Sequence, residues 1–146
     1  RTLQTLALIA EELGRDFHEN DTDIRLREID VGDWDGCYYK DIAPDLSTIM
    51  DPVHRLFIKK APGGEHYHDV ADRLKEWLSE QVFECDVLII THGMSARVLR
   101  GILSGLAPLE GFGVPIADGL AQGSMVSICD GGETLVIDGA GMGERA

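Results

Sequence analysis

Cysteine is scarce in this sequence, basic residues are outnumbered, and no apolar run approaches the length of a membrane span. The cysteines are Cys37, Cys85 and Cys129, three in number and far apart, with no C-x-x-C pair. An odd, scattered set argues against a disulfide framework and a cysteine-based zinc site, and reads as free thiols in a reducing cytoplasm. Without a stretch of about 20 apolar residues no transmembrane helix is expected. The chain also does not open on the charged and apolar regions of a secretory signal. Lys and Arg total 13 against 26 Asp and Glu, a net charge of -13. Such a surface repels nucleic acid and anionic membranes at long range, so neither is expected as a partner. An anionic ligand would need a local positive field inside this negative whole. There are no internal repeats and no low-complexity tract.

What is present is ordinary globular material. Hydrophobic residues make up 44% and charged residues 27% of 146 residues, enough for a single domain, 1–146, with a real core. "RTLQTLALIAEELG" places Leu3, Leu6, Ala7, Ala10 and Leu13 at three- and four-residue steps, an amphipathic helix with Gly14 as its stop. A polar loop and an extended piece, "IRLREIDVGDWDG", follow. "CYYKDIAP" reads as one or two helical turns halted at Pro44. "LSTIMDPVHRLFIKK" is ambiguous, with Pro52 breaking any long helix. Residues 65 to 82 predict a strong helix whose stripe is Tyr67, Val70, Ala71, Leu74, Trp77, Leu78 and Val82. "DVLII" is a continuous apolar run, as in a strand of a parallel sheet covered on both faces. A helix over 94–106 turns Ala96, Leu99, Ile102, Leu103 and Leu106 inward. After a long Gly- and Pro-containing loop, "SMVSIC" and "ETLVID" form strands joined by "DGG", a hairpin signal, before a frayed tail. The order points to an α/β layered fold.

Thr91, His92 and Gly93 then stand where a buried strand gives way to a helix. In open α/β sheets ligands bind at the carboxyl ends of strands. A glycine there lets backbone approach a ligand, and the next helix offers free N–H groups and a positive dipole end that suit an anion. "GMSAR" is close to the G-x-S-x-G nucleophile elbow, but its last position is Arg97, and no histidine follows Ser95 to complete a triad. A serine hydrolase is rejected on that ground.

"VLIITHGMSARVLRGILSGL" resembles the second histidine motif of the histidine phosphatase superfamily, the phosphoglycerate mutase-like proteins. Three further stretches fit in the same order. "RTLQTLALIAEELG" resembles the family's R-A-x-Q-T-A helix, "LREIDVGDWDG" its L-R-E-I-D-x-G-x-W-E-G stretch, and "PGGEHYHDVADRL" its G-G-E-S helix start. "AQGSMVSI" looks like the strand that returns after the second histidine. The resemblance covers nearly the whole chain. It implies an α/β fold with a mostly parallel central sheet and helices on both faces. One departure is large: the family's nucleophile is the histidine of an R-H-G motif on the first strand, and no R-H-G occurs here. The first helix begins at Arg1 without a cap, which leads us to expect a first strand upstream of this sequence.

The resemblance implies metal-independent hydrolysis of small phosphate monoesters through a phosphohistidine, with no cofactor. It assigns His92 to clamping the phosphoryl group, Glu28 to donating a proton, and Arg1, with Gly93, to binding phosphate. Glu65 and Gln122 are second-tier candidates. Glu65 opens a helix and is explained by N-terminal capping; Gln122 could reach a phosphate oxygen through its amide. A surface reading is preferred for His66 and His68 over a metal pair, because H-x-H at a helix start sends the two rings to different faces. "LREIDVGDWDG" looks more like the phosphatase branch than the true mutases. Phosphoglycerate mutase-type transfer is the alternative, and a catalytically inactive phosphoester-binding module is the rival of another class. The partner expected is a small phosphorylated metabolite.

Overall fold

A computed structural model describes residues 1–141. Its elements in order are α1 (Thr2–Glu12), α2 (Tyr39–Ile42), a hairpin of β1 (Met50–Asp51) and β2 (Leu56–Phe57), α3 (Tyr67–Ser79), α4 (Gly93–Leu103), and a hairpin of β3 (Met125–Cys129) and β4 (Gly132–Ile137). Single 3-10 turns at Phe17–Glu19, Ile24–Leu26, Gly32–Trp34 and Leu46–Thr48 punctuate the first half. No helix among the described residues is long and apolar enough to cross a membrane.

The core is the seam between α3 and α4. Tyr67, Val70, Ala71 and Leu74 recur at helical spacing on one face of α3 and are 0% exposed, with Trp77 completing the stripe. Asp69 accepts the His66 N–H at 2.8 Å and an ion pair from Lys60 at 2.8 Å, placing an acid in the first turn of α3. Against this face α4 packs Val98 and Leu99, while the loop after it contributes Phe112, Val114 and Ile116. The Tyr67 ring meets Phe112 edge-on at 5.6 Å, and its hydroxyl accepts the Phe57 N–H at 2.8 Å. Burial pushes the Tyr67 phenol up to about 12.

The helices fall where the hydrophobic spacing predicts them, but not every expected apolar face is covered. In α1 only Ala10 is buried; Leu3 and Leu13 lie in solvent. Val82 lies beyond α3 and is exposed. The buried face of α4 is Ser95, Val98, Leu99, Arg100 and Gly101, with Leu106 outside the helix and exposed. The ambiguous stretch after Pro44 resolves as a 3-10 turn and a short hairpin turning at Pro52. The second hairpin appears as expected. Its two-residue loop, Asp130 (φ 50) and Gly131 (φ 78), has both residues in the left-handed region that suits the strands' twist. Residues 142–146 of the tail lie outside the described residues.

The parallel sheet is the main difference. Among the described residues the ladders are two separate antiparallel hairpins, and "DVLII" (residues 86–90) joins neither. Val87 and Leu88 are about half exposed accordingly. The physical reason is that a strand exists only through its neighbours' hydrogen bonds, and among the described residues no backbone hydrogen bond reaches 86–90.

Arginines on α4 tie the loops down. The Arg97 guanidinium donates to the carbonyls of Ala117 (2.8 Å) and His54 (3.1 Å). Arg100 donates to the Asp118 carbonyl and grips the Glu133 carboxylate with two bonds of 2.8 and 2.6 Å, fastening the β3–β4 hairpin to the helix. Gly101 lets the loop cross directly over α4: a Cβ there would stand 2.6 Å from the Pro115 carbonyl carbon and oxygen and 2.9 Å from the Ile116 nitrogen.

Two expectations follow. Gly101→Ala forces backbone apart and should cost about 1–3 kcal/mol of stability, read from urea unfolding; an unchanged midpoint contradicts the close crossing. The Arg100 guanidinium holds the Glu133 carboxyl below its ordinary value. A depressed carboxyl contributes stability that is present above its unfolded value and lost as pH falls through the folded one. Glu133→Gln should therefore lower stability at neutral pH and shrink the further loss on going below about pH 4; an unaltered acid dependence argues against this pair.

Candidate active site

The stretch from Arg25 to Asp30 crosses the N-terminus of α4 without belonging to a strand or helix past Leu26, so its carbonyls need other donors. Side chains supply them. Arg73 donates to the Arg25 carbonyl, Thr91 to that of Leu26 (2.6 Å), Ser95 to that of Arg27, and Arg73 again to that of Glu28 (3.4 Å). The next link is Glu65: its N–H donates to the Asp30 carbonyl at 2.7 Å, and its carboxylate accepts the Asp30 N–H at 3.0 Å.

Held this way, Glu28 aims its carboxylate at the first turn of α4. It accepts N–H bonds from Met94 (3.1 and 3.2 Å), Ser95 (3.1 Å) and Ile29 (3.0 Å). The helix has no acid in its own first turn and no side-chain cap of its own. Glu28, distant in sequence, satisfies two of its orphan donors and places a negative charge at its positive end. In this arrangement the carboxylate works as an acceptor.

His92 is the N-cap of α4, with extended backbone (φ -110, ψ 168), and its carbonyl takes the Ala96 N–H at 2.7 Å. Its half-buried ring reaches the first residue of α1, with Nε2 lying 3.5 Å from the Thr2 hydroxyl. That contact brings the amino ends of two 11-residue helices together. Each helix start carries a partial positive charge, and at α4 the Glu28 carboxylate already lies against it, leaving the Gly93 N–H outside its bonds. Arg1, the N-cap of α1, is exposed, and its guanidinium makes no ion pair among the described residues. Gly93 is exposed beside Glu28; a Cβ on it would stand 3.7 Å from Glu28 Oε2. An open groove runs alongside, lined by Arg27, Glu28, Ile29, Asp30, Val31 and Asp35.

The structure thus brings His92, Glu28, Gly93 and the start of α1 together. It gives Glu65 a different post from the helix cap expected of it. The cap of α3 is His66, while the Glu65 carboxylate is shared by Arg27 (2.9 Å), Arg73 (3.0 Å) and the Asp30 N–H. Gln122 pairs its backbone with Gly141, and among the described residues no hydrogen bond joins it to His92 or Glu28. Thr2 and Arg73 lie outside the residues the sequence singles out, and Thr91 is singled out there only as part of the strand end. Arg73 sits beside the apolar stripe of α3, where an arginine ordinarily runs outward to solvent. Ser95 was considered only as a nucleophile, and it is buried with its hydroxyl committed to the Arg27 carbonyl.

Comparison with known proteins fits this geometry. The family profile described as the Histidine phosphatase superfamily (branch 1) matches residues 1–137. The chain belongs to the histidine phosphatase superfamily. A 2,3-bisphosphoglycerate-dependent phosphoglycerate mutase of Xanthobacter autotrophicus is 30% identical over 142 residues, 87% of this chain and 67% of that protein. One from a Methylobacterium species is 32% identical over 114 residues, 73% of this chain and 54% of the relative. A 6-phosphofructo-2-kinase 1 of Saccharomyces cerevisiae is 34% identical over 99 residues, 62% of this chain but 12% of that protein. The chain therefore spans between about an eighth and two thirds of these relatives. No solved structure matches.

The capping contact is testable by itself. Glu28→Ala removes the acceptor for Met94 and Ser95, so unfolding free energy should drop by about 1–2 kcal/mol, as for loss of a helix cap. Unchanged stability in urea unfolding would show that the carboxylate does not rest on α4.

Proposed function

We propose that the protein hydrolyses small phosphate monoesters by way of a phosphohistidine. The observation that supports this most is the meeting of His92 and Glu28 with the amino ends of α1 and α4. An imidazole and a carboxylate beside the starts of two helices support phosphoryl transfer, which needs charge to steady the equatorial oxygens and a group to handle the leaving oxygen's proton. In this reading the nucleophile is the superfamily's R-H-G histidine, which residues 1–146 do not contain. Its ring nitrogen attacks phosphorus as the ester P–O bond breaks, and the departing oxygen takes a proton from Glu28. Water then attacks the phosphohistidine, giving its proton back to Glu28 and releasing inorganic phosphate.

Protonated His92 donates a charge-assisted hydrogen bond to the phosphoryl oxygens through both steps. Arg1 supplies a guanidinium whose fork matches two phosphate oxygens. The Gly93 N–H, which Glu28 leaves open, is the backbone donor. Gln122 keeps a second-tier place as an amide donor. Glu65 contributes by holding Arg27 and the backbone at Asp30. We further propose that residues 1–146 act as one domain with the superfamily's α/β layout, in which 86–90 is a strand of the parallel sheet, and that it works in the cytoplasm.

Two relatives carry the name phosphoglycerate mutase, which makes mutase-type transfer the second reading. Assaying the full-length protein for 3-phosphoglycerate isomerisation beside hydrolysis of an aryl phosphate separates the two. Hydrolysis that exceeds isomerisation is expected; isomerisation alone would overturn the choice. Phosphate binding with neither turnover would make the protein a binding module. His92→Ala should cut hydrolysis by about 10²–10⁴-fold, the scale of a lost transition-state donor, and near-parental turnover would remove His92 from the mechanism.

A further inference from the structure

We propose that Arg73 is a positioning residue for the reaction, acting on Glu28 through the backbone that carries it. The inference rests on the reading of Glu28 as proton donor. Arg73 is 8% exposed. Its guanidinium reaches Glu65 Oε1 (3.0 Å) and Oε2 (3.2 Å), the Arg25 and Glu28 carbonyls, and the Ser95 hydroxyl (3.3 Å). A buried arginine that served only to hold α3 to a carboxylate would be satisfied by Glu65. Beyond Glu65, Nη1 goes to the Arg25 carbonyl, and Nη2 is shared between the Glu28 carbonyl and the Ser95 hydroxyl in the first turn of α4. Ser95, 0% exposed, accepts one of those bonds and donates its own O–H to the Arg27 carbonyl.

The consequence is geometric. The Glu28 carboxylate rests on the N–H groups of Met94 and Ser95. One guanidinium therefore fixes both the backbone from which Glu28 projects and the helical turn on which its carboxylate lies. Proton transfer to a leaving oxygen tolerates little displacement of the donor. The planar five-donor fork is what lets a single side chain span these acceptors; a lysine, with one point of attachment, cannot. Among the described residues no hydrogen bond or ion pair joins the Arg73 guanidinium to His92.

The test uses leaving groups, because a donor matters only where the departing oxygen needs its proton. In the full-length protein, kcat/KM is measured for a series from p-nitrophenyl phosphate to alkyl phosphates. Parent, Arg73→Lys, Ser95→Ala, Glu28→Gln and the Arg73→Lys/Glu28→Gln double variant are compared. Glu28→Gln should lose about 10²–10⁴-fold on alkyl esters and little on p-nitrophenyl phosphate. Arg73→Lys should lose about 10–100-fold on alkyl esters with only about threefold change on p-nitrophenyl phosphate, and Ser95→Ala should follow the same slope to a smaller extent. The double variant should be no worse than Glu28→Gln alone. A loss equal across all leaving groups, or additive losses in the double variant, overturns the positioning role. Should Arg73→Lys not fold, the slope of Ser95→Ala decides. A leaving-group slope in Glu28→Gln with none in the other two defeats this inference alone. No slope in Glu28→Gln, or no hydrolysis by the parent, defeats the donor reading and this inference with it.

Discussion

An irregular peptide laid across a helix end has to find partners for its carbonyls, and the way this one does so organises the rest of the site. Residues Arg25 to Glu28 present four carbonyls in a row, each bound by a side chain from Arg73, Thr91 or Ser95. These bonds are part-buried, so each contributes about 0.5–1.5 kcal/mol at most and together they fix the course of the peptide. The peptide is fastened at its far end as well, where Arg25 forks onto Glu80 with bonds of 2.9 and 2.6 Å and onto Asp23. Exposed ion pairs of this kind add little stability, but they fix direction. Glu28 is delivered to α4 by a frame whose other members have no chemistry of their own to perform.

The electrostatics are local against a contrary background. With a net charge of -13 the molecule as a whole repels a phosphate. Near His92 lie the starts of α1 and α4, with Arg1 as the N-cap of α1 and the Glu28 carboxylate taking up part of the field at α4. A helix end carries roughly half a positive charge, and its effect dies away within a turn. Such a field selects for a small anion that comes close and does nothing for a long polyanion that must first cross the acidic surface. The reading of small phosphate monoesters as substrates agrees with this balance.

Much of the secondary structure could be read directly. The stripe on α3 and the hairpin around Asp130 and Gly131 are local codes, one of period and one of turn chemistry, and both appear where expected. His92 and Glu28 can be located through family motifs, and both stand at the amino end of α4. What could not be read is whatever depends on a distant partner. "DVLII" has the composition of a buried strand, but pairing is supplied by a neighbour, and among the described residues no backbone hydrogen bond reaches it. Glu65 has the sequence position of a helix cap; its actual post depends on Arg27 and Arg73 arriving from either side. Ser95 and Arg73 look like a surface serine and a snorkelling arginine until the peptide at Arg25–Glu28 is laid over them. A buried polar residue cannot be told from an exposed one by periodicity alone when its acceptor is a carbonyl, because carbonyls leave no mark in a sequence.

This has a bearing on which residues a site can least afford to lose. Glu28 satisfies N–H groups of α4 that water could also satisfy, so the helix survives its removal at the modest cost of a cap. The Arg73 guanidinium is different. It bridges α3, the Glu28 peptide and α4 from a buried position, so removing it leaves the Glu65 carboxylate and two carbonyls short of a donor at once. A lost donor to a buried charged partner costs more than a lost exposed contact, since the partner's desolvation remains uncompensated. Within one constellation, then, the residue that would do chemistry rests on N–H groups at a helix end, and the residue proposed to position it bridges three segments from a buried site. A proton donor benefits from that division. Its carboxylate can exchange one set of weak partners for another as a reaction proceeds, while the peptide beneath it stays where it is.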